Sequence, residues 1–149
     1  MRTRHVEGIE PLESRDTDVR LSVPARPENV AVVRHVLSGF AEALRLPTEM
    51  VEDMRLAVTE ACTNVVRHAY DGEQAGPIEI VLRPDDGDEL EVIVSDAGRG
   101  LQPSPDTAGP GLGLPLIASL VHRLEIQHAP RAGSRLAMTF LRGGHMEAA

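Results

Sequence analysis

Residues 48–70 read TEMVEDMRLAVTEACTNVVRHAY. Within them Val51, Met54, Val58, Ala61 and Val65 recur at steps of three and four, the spacing that lines one face of an α-helix. Pro47 breaks the chain beforehand, Thr48 stands where an N-cap is expected, and Asp71-Gly72 and Gly76-Pro77 end the run. The pattern predicts a helix over about 49–69 with a continuous apolar stripe that must be buried against a second layer. That layer follows at once. Ile78, Ile80 and Leu82 alternate with polar or outward positions, as do Leu90, Val92 and Val94, and Pro84–Asp88 between them has the composition of a hairpin turn.

Working outward, Val19, Leu21 and Val23 mark a short strand closed by Pro24 and Pro27. A helix is expected over about 28–44, with Val32, Val33, Val36, Leu37, Phe40 and Leu44 on one broad face. Residues 96–113 are rich in Gly and Pro and hold no period; a helix over about 112–121, a strand near 124–128 and a last strand carrying Leu136, Met138 and Phe140 complete the chain. The order suggests an α+β protein, a two-layer α/β sandwich with helices on one face of a mixed β-sheet. Residues 1–17 alternate charge with little apolar content and read as a flexible tail, 18–142 as one domain and 143–149 as a C-terminal tail.

Composition narrows the function. The chain has 149 residues, one domain's worth, and a net charge of -8 from 15 basic and 23 acidic side chains. Every basic residue is arginine. A P-loop, which needs a lysine on the phosphates, and Schiff-base chemistry are therefore excluded. The acidic balance and an aromatic content of 2% argue against a general nucleic-acid binder. Cys62 is the single cysteine, so no internal disulfide can form, and the histidines show no zinc spacing. No apolar run approaches the ~20 residues that cross a bilayer. A soluble, cytoplasmic domain is expected, with Cys62 a small buried residue.

Three segments hold residues that an apolar core does not ask for. On the long helix, Glu60 and Asn64 are four apart and project side by side at the edge of the stripe, where they suit a general base and an oxygen ligand to Mg²⁺. They are equally compatible with a solvated helix face. After the strand at 90–94, Asp96 is followed by Gly98 and Gly100. A carboxylate there can accept a hydrogen bond from an exocyclic amine, and the glycines let backbone approach a flat ligand; the same pattern also makes a common turn. Gly111, Leu112 and Gly113 open a helix, whose free N–H groups favour a phosphate, and they also read as a plain linker.

In combination the segments are more specific. E-x-x-x-N on a helix, D-x-G-x-G after a strand and G-x-G before a helix resemble, in order, the N, G1 and G2 boxes of the GHKL (histidine-kinase-like) ATPase superfamily. The run from Glu60 through His68 to Tyr70 is similar to the N box of its anti-sigma-factor serine/threonine protein kinase branch. The resemblance spans about residues 18–142 and implies the Bergerat, or histidine-kinase-like ATPase, fold. It implies Glu60 as catalytic base, Asn64 as Mg²⁺ ligand and Asp96 as reader of adenine, with Gly98 and Gly100 shaping the adenine pocket. Gly111, Leu112 and Gly113 would form the hinge of an ATP lid. Ser134 would supply a hydroxyl behind the adenine, where the superfamily often has threonine. The stretch 101–110 is short and lacks a basic residue, a departure that argues against a two-component histidine kinase.

The resemblance further implies the cofactors ATP and Mg²⁺ and two protein partners: a sigma factor, held by the kinase, and an anti-sigma-factor antagonist of the STAS type, phosphorylated by it. A homodimer follows from the same likeness, with neither nucleic acid nor membrane contacted directly. A second reading of the same boxes is a nucleotide-gated protein-binding module without phosphoryl transfer.

Overall fold

A computed structural model describes residues 2–70, 75–85, 87–98 and 113–143. The element order is β1 (Arg2–Glu7), β2 (Val19–Pro24), α1 (Pro27–Leu44), α2 (Thr48–His68), β3 (Pro77–Pro84), β4 (Glu89–Asp96), α3 (Gly113–Leu120), β5 (Arg123–Ala129) and β6 (Gly133–Leu141). The strands form one six-stranded sheet in the order β1-β5-β6-β4-β3-β2. Among the described strands only β1 and β5 are parallel; the other pairs are antiparallel, so the sheet is mixed.

The period-two alternation places Ile78, Ile80 and Leu82 of β3, Val92 and Val94 of β4, and Leu136, Met138 and Phe140 of β6 on one face, where they share a core with the helices. Helix α2 packs on β4 and β6 with α1 and α3 beside it. Its buried residues are Met50, Met54, Ala57, Val58, Ala61, Cys62 and Val65. The stripe is thus rotated slightly from the expected one, with Met50 inside and Val51 half-buried at its edge. Thr48 is the first helical residue and not the cap: Pro47 holds that position in extended backbone, with no side-chain capping bond. Among the described residues no helix is long and apolar enough to cross a membrane.

The N-terminal segment departs from the flexible tail expected of it. Residues 2–7 form β1, paired in parallel register with β5 from Arg2↔Arg123 to Glu7↔His128. The reason is physical: a backbone ladder binds without regard to side chain, so an edge strand of charged residues carries no apolar signal. Gly8 N–H adds a bond to the His128 carbonyl at 2.8 Å. Residues 9–18 then run from the β1 edge to β2 at the other edge, over the face opposite the helices. Arg135 donates to the Glu10 carbonyl, and the Arg83 Nη2 donates to the Glu13 carbonyl at 2.6 Å. Arg83 also grips Asp18 through Nε at 2.8 Å and Nη2 at 2.9 Å. The two side chains are 5% and 2% exposed, so this is a buried fork-to-fork ion pair. Beneath the strap lie Val81 and Ile93, buried on the face away from the helical core.

Candidate functional site

Asp96 ends β4 and is buried. The ladder pairs it with Ser134 of β6, so both side chains project from neighbouring strands on the helix-bearing face. The Ser134 hydroxyl donates to Asp96 Oδ2 at 2.5 Å, and the Gly98 N–H donates to Oδ1 at 2.9 Å. Each carboxylate oxygen therefore has one partner. A carboxylate offers about four lone-pair directions, so Asp96 is oriented by the protein and still able to accept from a ligand. Gly98 lies so close to the end of α2 that a Cβ there would come within 1.9 Å of the Ala69 carbonyl oxygen. Only glycine lets the loop meet the helix at that point.

Asn64 and His68, one turn apart on α2, face the same cleft as Asp96 and Ser134. Gly113, the first residue of α3, sits directly on the Asn64 carboxamide: a Cβ would lie 2.6 Å from Nδ2. Glu60 is half-buried one turn before Asn64 and does not form part of the cleft wall. The cleft is open to solvent; the space between its walls, open solvent included, is about 330 Å³. Its walls are Ala61, Val65, Ala69, Val94 and Leu136, and its polar groups are Asn64, His68, Asp96 and Ser134. Apolar walls with a few convergent polar groups suit a flat heteroaromatic ligand with one hydrogen-bonding edge.

Of the residues singled out from sequence, Asn64, Asp96 and Ser134 come together, with Gly98 and Gly113 at their margins. Glu60 is adjacent by one helical turn. Gly100, Gly111 and Leu112 lie outside the described residues. Sequence reasoning gave His68 no role beyond membership of its motif, although its i+4 spacing from Asn64 places it on the same helix face. The apolar walls at Val94 and Leu136 were legible as core residues but not as cleft lining. Cys62 is fully buried, and burial pushes its thiol up to about 12, which removes it from nucleophilic chemistry.

Comparison with known proteins bears on this geometry. The family described as histidine kinase-like ATPase domain matches residues 23–140. Serine-protein kinase RsbW of Bacillus pumilus is 35% identical over 137 residues, covering 81% of this chain and 83% of the relative. RsbW of Bacillus subtilis is 34% identical and covers 87% and 89%. That of Halalkalibacterium halodurans is 37% identical and covers 81% of each. Among solved structures, the RsbU and RsbW domains of a Mycobacterium tuberculosis protein superpose with a TM-score of 0.68 at 19% identity, over 83% of this chain and 32% of that one. The histidine kinase domain of an Erythrobacter litoralis blue-light activated kinase gives 0.57 at 20% identity, over 81% and 62%. At such identities the structural matches speak for the fold.

Proposed function

Because the chain belongs to the histidine kinase-like ATPase family, and within it to the RsbW serine-protein kinases, we propose that it is an ATP- and Mg²⁺-dependent partner-switching kinase. It phosphorylates a serine or threonine of a small antagonist protein and sequesters a sigma factor. The observation that carries this reading is the convergence of Asn64, Asp96 and Ser134 on one cleft beside an apolar wall. Three residues from a helix and two strands, spread over seventy positions of sequence, meet there.

Asp96 accepts from the exocyclic amine of adenine, held in place by Ser134 and Gly98. Guanine presents a carbonyl at that position, which leaves a buried acceptor facing an acceptor and costs about 1–3 kcal/mol. Asn64 supplies the protein's oxygen ligand to Mg²⁺. The residues fit the ion in that limited sense: the Asn64 carboxamide faces the cleft, and the residue packed against it, Gly113, has no side chain to cover it. Magnesium with few protein ligands is the normal arrangement where phosphates complete the shell. When bound it neutralises charge on the transferring phosphate. Glu60 takes the proton of the acceptor hydroxyl as that oxygen bonds to the γ-phosphorus and the bond to the β–γ bridging oxygen breaks, releasing ADP.

One observation favours a second reading. Among the described residues Glu60 is not part of the cleft wall, as it would not be in a nucleotide-gated binding module that transfers nothing. The same experiment separates the two. Glu60→Gln keeps size and hydrogen bonding but removes the base, so phosphate transfer to an antagonist protein falls about 10²–10⁴-fold, with equilibrium ATP affinity unchanged. Transfer by the variant at the wild-type rate would remove Glu60 from the chemistry. Absence of transfer by the wild type to any antagonist, with ATP still bound, would establish the binding module.

A further inference from the structure

The ladder between β3 and β4 runs from Pro84↔Leu90 to Ile78↔Asp96 and stops there. Continued by one position, Pro77 would face Ala97. A tyrosine occupies that rung. The Tyr70 hydroxyl donates to the Pro77 carbonyl at 2.6 Å and accepts from the Ala97 N–H at 2.9 Å. It thus relays a strand-to-strand bond through a side chain that follows α2. Burial raises the phenol above its ordinary value, so at neutral pH it keeps the proton this geometry requires.

The ring's seat is built for it. A Cβ at Gly76 would lie 2.3 Å from Cε1 and 2.5 Å from Cζ of Tyr70, so the ring packs against bare backbone. Next to it, the Ala69 carbonyl touches Gly98. The two residues that follow α2, Ala69 and Tyr70, therefore contact Gly98 and Ala97, the two residues that follow Asp96. Gly98 N–H in turn orients the Asp96 carboxylate. No tyrosine atom lines the cleft.

We propose that Tyr70 is a positioning residue: by bridging Pro77 and Ala97 it locks the loop that aims Asp96, and it couples that loop to the helix carrying Asn64. The inference rests on the reading of the cleft as an ATP site and extends it to a residue outside the cleft. Mechanically, one hydroxyl ties the base-reading side of the site to its phosphate side.

The test is Tyr70→Phe, which keeps the ring in its seat and removes the bridge. Amide hydrogen exchange on the nucleotide-free protein is expected to accelerate at Ala97 and Gly98 and not in α1 or β6. ATP affinity is expected to fall about tenfold, the size of one lost hydrogen bond. The preference for ATP over GTP should narrow, and KM should rise while kcat holds. Val81→Ala, a cavity under the strap on the opposite face, serves as the control for stability: it lowers the melting temperature without altering the ATP-to-GTP ratio. Unchanged exchange at Ala97 and Gly98 would overturn the proposal. So would faster exchange with an unaltered ATP-to-GTP ratio. Failure of the wild type to bind ATP would overturn the nucleotide reading itself, and with it any site role for Tyr70; wild-type binding with an unaffected variant overturns the Tyr70 inference alone.

Discussion

The two faces of the sheet are covered by different physics. On one, α1, α2 and α3 bury Ile78, Ile80, Leu82, Val92, Val94 and Met138 under apolar stripes. Each such side chain contributes about 1.5–3 kcal/mol without needing a particular direction of approach. On the other, a strap of some ten residues is held by Arg83 and Arg135 gripping its carbonyls and Asp18. Those contacts are few, directional and charged. The helix face is held by many apolar contacts that share the load, whereas the strap depends on single atoms being in place. The cleft lies where the helix face runs out, and there Asp96 and Ser134 use directional bonds within an apolar wall.

This comparison can be broken by substitution. The largest loss is expected on the helix side: Met54→Ala, at a residue 1% exposed, should cost about 4 kcal/mol through transfer and cavity terms. Chemical denaturation at pH 7 and again at low pH should give the same difference, since no charge is involved. An effect below about 1 kcal/mol would mean that α2 is not the main cover of the sheet.

Next comes the strap. The Arg83 guanidinium holds the Asp18 carboxyl well below its ordinary value of 3.8. Arg83 leads this shift through its hydrogen bonds, against an opposing cost of burial. Asp18→Asn takes from buried Arg83 its hydrogen-bonded carboxylate, leaving Glu91 at 3.8 Å as the remaining ion-pair partner, and should cost about 3 kcal/mol at neutral pH. The sign of the pH dependence follows. The unfolded chain takes up its proton near 3.8, whereas the folded protein resists protonation until lower pH. The stabilisation is therefore complete above 3.8 and fades as the pH falls below it. Wild type and variant should converge in acid; a gap that persists unchanged at low pH would show that the latch is not electrostatic.

The smallest effect is expected at the junction of the two regimes. Ser134→Ala removes the hydroxyl from Asp96 Oδ2 and should cost about 1.5 kcal/mol, as for a hydrogen bond to a charged group. In ATP titration the loss should appear as roughly tenfold weaker binding, with the fold intact by circular dichroism. Unchanged affinity would show that Asp96 is aimed by Gly98 and its loop alone.

Periodicity in the chain determined a great deal by itself. The helices expected at 28–44 and 49–69 stand at 27–44 and 48–68, and the strands expected around 78–82, 90–94, 124–128 and 136–140 each form. A repeat of 3.6 or 2 records burial against a neighbouring layer, and burial is what drives these elements together. The layering followed from local pattern, and Asn64, Asp96 and Ser134 were singled out as candidates, the first two by pattern and resemblance and Ser134 by the resemblance alone.

Tertiary structure alone decided what is held by single polar bonds between distant residues. Strand β1 was invisible because its partner β5 lies about 120 positions away and their ladder uses backbone groups common to every sequence. Nothing near Arg83 in the sequence marks it as buried: Asp18 and Glu13, which close over it, lie 65 and 70 positions away. His68 entered the cleft and Tyr70 the last rung of the β3–β4 ladder only once the end of α2 was placed against the loop after β4. A hydrophobic stripe repeats and so announces itself. A hydrogen bond between residues dozens of positions apart leaves no period in either segment, and only the folded chain brings its two ends together.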